Sequence, residues 1–198
     1  MMTTTQTTTS LAPFSEVAPR TFETERLRLR AVELSDMTLV FNLTAGDPVA
    51  TKYMAWPRAK VPEDLRGFLT SVEASFAGRP LNRGDFTWII QIKESGEYIG
   101  HCGIGYDTDT SVGGGYILNP AFWGKGYAAE AWKPVIEWAK TQPDVQRIEA
   151  MHHPDNPASG AVMRKVGLSF DRTQTIDGHF PNLEGGVVHE LVYAWVRP

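Results

Sequence analysis

The chain has 198 residues, 42% of them hydrophobic, and carries 19 lysines and arginines against 23 aspartates and glutamates, a net charge of −4. That length and apolar content suffice for one sizeable core, so a single domain is expected. The acidic balance without any long basic run argues against nucleic acid as a partner, and no apolar stretch approaches the length of a membrane crossing.

The first residues, MMTTTQTTTSLAPFSEVAP, lack a basic start and an apolar core, so they read neither as a signal peptide nor as an anchor; residues 1–20 are expected to form a disordered tail ahead of a domain spanning 21–198. From Phe22 the alternation of ETERLRLRAV reads as an amphipathic strand, with Leu27 and Leu29 inward and Arg26, Arg28 and Arg30 on a solvated face. Ser35 or Asp36 can cap a helix through Met37 and Phe41 that stops by Gly46. A second helix is predicted from about Pro62 to Ala77, its apolar positions including Leu65, Phe68, Leu69, Val72 and Phe76.

Strands are predicted at Phe86–Lys93 and Glu97–Tyr106, joined by a short polar turn at Gly96, and at Gly113–Leu118. The single cysteine, Cys102, rules out an internal disulfide, fits a reducing cytoplasm and reads as a buried thiol. A helix follows through AEAWKPVIEWAK, with Trp132, Val135, Ile136 and Trp138 as packing residues and Pro134 expected to kink or break it. Next come a strand at Arg147–His152, a helix from Asn156 to near Gly167, and strands over 168–175 and 187–196 joined by the polar connection TIDGHFPNLEGG. These elements make an α+β fold: a twisted mixed sheet of six to seven strands flanked by helices.

WGKGYA at Trp123–Ala128, placed directly before the main helix, is the most informative motif. Gly124 and Gly126 let backbone approach a ligand, and the free N–H groups of a helix's first turn attract anions. A Walker A loop is excluded because Asn119 and Gly126 stand where its glycine and Ser/Thr belong; a dinucleotide fingerprint starting at Gly103 and Gly105 fails at Thr108. His152, His153 and Asp155 do not read as a metal site, since neighbours on a strand point to opposite faces; no metal is expected.

From Tyr116 through Phe170, the order of strand, WGKGYA turn, helix, strand, then Asn156 and Ser159 opening a second helix, resembles the GNAT superfamily of acetyl-coenzyme A (acetyl-CoA) dependent N-acetyltransferases. The closest similarity is to the ribosomal-protein-alanine acetyltransferase-like (RimJ/RimL-like) branch, with TERLRLR at Thr24–Arg30 similar to its first strand and YIGHCGIGY at Tyr98–Tyr106 to its central hairpin. Gly126 and Ala128 match the family's phosphate motif, whereas Trp123 stands where Gln or Arg is usual. The resemblance implies a cytoplasmic enzyme that moves an acetyl group to a primary amine, either a protein or peptide α-amine or a small-molecule amine such as an antibiotic or metabolite. An acyl-CoA-binding regulatory module without turnover is the alternative.

On that resemblance, the diphosphate rests on the amides of Gly124, Lys125, Gly126, Tyr127 and Ala128, and the pantetheine arm passes Ile117, Leu118 and Asn156. Ser159 is the candidate acid for the leaving thiolate and also a candidate helix cap. The strand nearest the acetyl group carries no carboxylate between Ser111 and Asn119, so the base is expected to be a water relay or a histidine, with His152 the candidate and His101 behind it. Trp56, Phe86 and Trp88 are candidates for an aromatic acceptor wall and read equally as core, with core the favoured reading for Trp88 inside its strand. Exposed strand edges are compatible with a homodimer.

Overall fold

The computed structural model describes residues 17–78, 84–108, 110–177, 180–183 and 186–198. Its centre is an eight-stranded mixed sheet in the order β1-β2-β3-β4-β5-β6-β8-β7. The strands are β1 (Thr21–Glu23), β2 (Leu27–Ala31), β3 (Asp85–Ile92), β4 (Tyr98–Tyr106), β5 (Ser111–Leu118), β6 (Arg147–His152), β7 (Ser169–Asp177) and β8 (Val187–Val196). The count exceeds the six to seven predicted because the segment from Phe22 to Arg30 is not one strand: it turns back at Thr24 to Arg26 and pairs with itself, Phe22 opposite Leu29. Every neighbouring pair is antiparallel except β5 and β6.

The helices are α1 (Met37–Val40), α2 (Arg66–Phe76), α3 (Tyr127–Thr141) and α4 (Pro157–Lys165). α1 begins in a 3-10 turn, Leu34–Asp36, and continues into a π turn, Phe41–Ala45. Asp36 does stabilise this start, its carboxylate accepting the Glu33 N–H at 2.9 Å. It also binds Arg30 through both guanidinium nitrogens at 2.7 Å, so Arg30 is paired rather than simply solvated. Of the predicted kink or break at Pro134, the break does not occur: α3 runs on through the proline. Burial of Ala131, Trp132, Val135, Ile136 and Ala139 along one face outweighs the hydrogen bond that proline removes.

Residues alternate across the sheet, and the two faces differ sharply. On one face Phe86 and Trp88 pack edge-on against Phe76 of α2 and Trp138 of α3, while Tyr116 leans on Trp132 of α3. Leu27 and Leu29 are fully buried there as well, each such side chain contributing about 1.5–3 kcal/mol. The opposite face of β3, β4 and β5 is sparse, presenting Thr87, His101, Gly103, Gly105, Gly113, Gly115 and Ile117 in matching register.

Ala18 is buried and the Pro19 carbonyl accepts the Trp88 indole N–H at 2.8 Å; residues 1–16 of the predicted tail lie outside the described residues. Among the described residues no helix is long and apolar enough to cross a membrane.

Candidate active site

β5 and β6 pair in parallel over Ser111–Arg147, Val112–Ile148 and Gly113–Glu149 and then separate, while β5 stays paired to β4 as far as Leu118 and β6 to β8 as far as His152. A wedge therefore opens between the two strands. The Asn119 N–H donates to Ile99 on the β4 side at 2.9 Å. Strand alternation then turns the amides of Leu118 and Tyr116 the other way, into the wedge. The Leu118 carbonyl is already engaged by the Trp123 indole N–H at 2.9 Å, which leaves its N–H as the donor at that point. Trp123 thus fastens the turn to the end of β5.

Beyond Trp123, Gly124 and Gly126 adopt positive φ of 76° and 81°, and Gly126 caps α3 with no side chain over the helix end. The amides of 124–129 donate to no protein group among the described residues, and a Cβ placed on Gly124 would meet nothing within 4 Å. The result is a ring of unpaired donors at the positive end of a helix dipole. Arg26, expected on a solvated face, instead grips this turn. Its guanidinium pairs with Glu130 at 2.5 Å, donates to the Lys125 carbonyl at 3.2 Å and lies 4.5 Å from the Tyr127 ring centre. Burial works against the Glu130 charge, but hydrogen bonds from Thr24, the Arg26 amide and its guanidinium hold the carboxylate below its ordinary range. Arg26→Ala is expected to weaken coenzyme A binding about fivefold by calorimetry, with Arg26→Lys recovering only part, because an ammonium cannot make the fork and the stack together.

Ser159 lies in the first turn of α4, and its Oγ is 2.8 Å from the Tyr116 hydroxyl, which also reaches the Ser159 carbonyl at 3.0 Å. The serine is not the helix cap. Asn156 occupies the cap position and makes no side-chain cap bond, so its amide faces the cavity unspent. Burial pushes the Tyr116 phenol well above its ordinary value, the Ser159 hydrogen bond opposing in part, so its proton is firmly held. The approach of α4 to β5 makes the Tyr116 hydroxyl a partner for the serine.

His152 is placed differently from expectation. Its ring is 4% exposed, and Nδ1 lies 2.8 Å from the His153 carbonyl, which can only accept, so Nδ1 bears the proton. Nε2 then carries the lone pair and has no partner among the described residues, but it faces α4: a Cβ on Gly160 would sit 2.6 Å from it. His152 also lines the second cavity, with its buried Nε2 turned toward α4. His101 borders the sparse sheet face, with Nδ1 at 3.3 Å from Thr44 Oγ1, and burial lowers it to about 4, keeping the ring neutral.

Two cavities enter the wedge. The first, of about 340 Å³, is lined by the WGKGYA turn, Tyr116 to Leu118 and the first turns of α4. The second, of about 380 Å³, lies over the glycine-rich face beneath Tyr53, Met54, Trp56 and Phe68. They share Tyr53, Met54, Tyr116, Ile117, Asn156 and Ser159. Of the predicted acceptor wall, Trp56 borders the second cavity, Phe86 reaches its edge at 4% exposure, and Trp88 does not contribute: it is fully buried in the aromatic core. The connection between β7 and β8, expected as a polar loop or wide hairpin, is tied to the segment that borders this cavity, since Asn182 donates to the carbonyls of Thr51 and Trp56 at 2.8 and 2.9 Å.

Residues 26–169 match the acetyltransferase (GNAT) domain model. The chain belongs to the GNAT acetyltransferase family. An uncharacterized N-acetyltransferase, p20, of Bacillus licheniformis is 33% identical over 77% of this chain and 83% of its own length. A GNAT-family acetyltransferase of known structure from Bacillus anthracis is 25% identical, with a TM-score of 0.70 over 89% of this chain and 98% of that one. The ribosomal-protein-S5-alanine acetyltransferase from Vibrio fischeri shares the fold, with a TM-score of 0.72 over 90% of this chain and 99% of that one at 19% identity.

As a GNAT acetyltransferase the protein uses acetyl-CoA as acyl donor, and its residues fit that donor. The bare amide ring suits a diphosphate, and the wedge offers a strand edge to an amide-bearing arm. Among the described residues no group of His, Cys, Asp and Glu could hold a metal ion. Cys102 is fully buried, and burial raises its thiol far above the ordinary range, which removes it from the chemistry.

Proposed function

We propose that this GNAT protein transfers an acetyl group from acetyl-CoA to a primary amine by direct attack, with both molecules bound together. The reading rests on the meeting of two cavities at the wedge, where Tyr116 and Ser159 stand between them. Acetyl-CoA supplies the acetyl group as an activated thioester. The amides of 124–129, aided by Lys125 and Arg26, would hold its diphosphate, while Ile117, Leu118 and Asn156 would line its arm.

The Leu118 N–H is the donor available to the acyl oxygen. As the new C–N bond forms and the C–S bond breaks, Ser159 Oγ–H passes its proton to the leaving sulfur, the Tyr116 hydroxyl hydrogen-bonds to the serine oxygen while keeping its own proton, and solvent then reprotonates the serine. The amine releases its own proton to water in the open second cavity. His152 acts by supporting the first turn of α4 beneath Gly160, and so by placing Ser159.

The acceptor is a protein or peptide α-amine or a small-molecule amine. Purified protein given acetyl-CoA and a panel of peptides, diamines and simple amines is expected to release free thiol, read colorimetrically. Tight coenzyme A binding with no thiol release for any amine would overturn turnover in favour of a ligand-binding role.

A further inference from the structure

The second cavity has an unusual floor. Gly103 and Gly105 on β4 lie opposite Gly115 and Gly113 on β5, and the four share one face. A Cβ on Gly115 would meet nothing within 4 Å, so the trough beside the wedge is bare backbone. Farther along, the space that side chains would fill is taken by two carboxylates. Asp85 Oδ1 lies 2.1 Å from the Cβ position of Gly105, and Asp107 Oδ2 lies 2.3 Å from that of Gly113. Glu149 borders the same end, but Arg147 and Arg172 neutralise it.

Asp85 and Asp107 have no such partner. Neither carboxylate makes a hydrogen bond or ion pair among the described residues, and both border the cavity. Burial raises Asp85, and burial followed by the charges of Glu149 and Asp85 raises Asp107; a bound cation would relieve this repulsion.

From the Ile117 end of the wedge to Gly113 is four strand residues, or about 13 Å at ~3.3 Å per residue. We propose that this trough selects an unbranched acceptor with a second ammonium about 10–13 Å from the reacting nitrogen, a long diamine or linear polyamine, held at its far end by Asp85 and Asp107. The proposal deepens the acetyltransferase reading and rests on it. A methylene chain can lie flat on the glycine floor. A peptide suits it poorly, because the floor's backbone groups are already spent in the pairing of β3, β4 and β5 and offer its amides no partners.

The test separates binding from turnover. Calorimetry on the full chain loaded with coenzyme A would compare 1,3-diaminopropane through 1,8-diaminooctane and spermidine with octylamine and a peptide carrying lysine near its N-terminus. Long diamines and spermidine are expected to bind at least about tenfold more tightly than octylamine, and D85N/D107N should bring that ratio to near one while coenzyme A affinity stays within about twofold. Gly115→Val, which fills the bare trough, should weaken the long diamines in the same way. A ratio near one in the parent protein, a ratio untouched by D85N/D107N, or tighter binding of the peptide than of any diamine would overturn the proposal. Diamine binding that depends on both aspartates but yields no thiol would leave this site standing and overturn the transfer reaction instead.

Discussion

Gly126→Val is expected to abolish coenzyme A binding, with no heat detected by calorimetry at concentrations that saturate the parent protein. Two effects combine. Gly126 sits at φ 81°, a left-handed conformation in which a Cβ costs about 1–2 kcal/mol and a branched one more. The side chain would also stand over the amides that are to receive the diphosphate. Protein contact is not the obstacle, because the nearest atom to the added Cβ is an Arg26 nitrogen at 3.6 Å, an ordinary separation. The fold should therefore survive, with Tm lowered by about 2–8 °C. Gly126→Ala should fall between the two. Undiminished affinity in a folded valine variant would move the diphosphate site away from this turn.

Ser159→Ala should lower kcat about a hundredfold and leave the affinity for acetyl-CoA within about twofold, the pattern of a group that acts on the leaving atom rather than on binding. Tyr116→Phe keeps the ring against Trp132 and removes the hydroxyl, so a smaller loss of about tenfold is expected, with about 1 kcal/mol of stability lost with the hydrogen bond. Because the two hydroxyls form one hydrogen-bonded pair, the double variant should be little worse than Ser159→Ala alone. Steady-state kinetics on the four proteins decides the matter. An unchanged kcat in Ser159→Ala would remove the serine from the role of acid, and fully multiplicative losses would separate the tyrosine from it.

Much of the fold was legible because its signals are local. Leu27 and Leu29 alternate with arginines, Trp132, Val135, Ile136 and Ala139 recur on one helical face, and Gly124 and Gly126 announce a turn that no other residue adopts easily. Pro134 does not break α3 because its local cost is outweighed by burial along that helix, which the helix pattern alone does not measure. The segment after Phe22 misled: its alternation is a true strand signal, but pairing of β1 with β2 depends on a reversal at Thr24 to Arg26 that lacks a glycine. Trp88 read as core from its place inside a strand and is fully buried, whereas nothing along the chain marks that Trp56 borders the cavity.

The sequence by itself determined the order of the elements and the glycine turn before α3, because each follows from backbone preferences over a few residues, while Asn156 and Ser159 were marked by the family resemblance. Tertiary structure alone decided which side chains meet: Arg26 with Glu130 and Tyr127, Tyr116 with Ser159, His152 turned toward Gly160, Asp85 and Asp107 laid across opposed glycines. Those contacts join residues up to 104 positions apart, and their existence depends on where β5 parts from β6 and how the helices cover one face of the sheet. No short-range preference encodes that separation; it is set by the packing of the whole sheet.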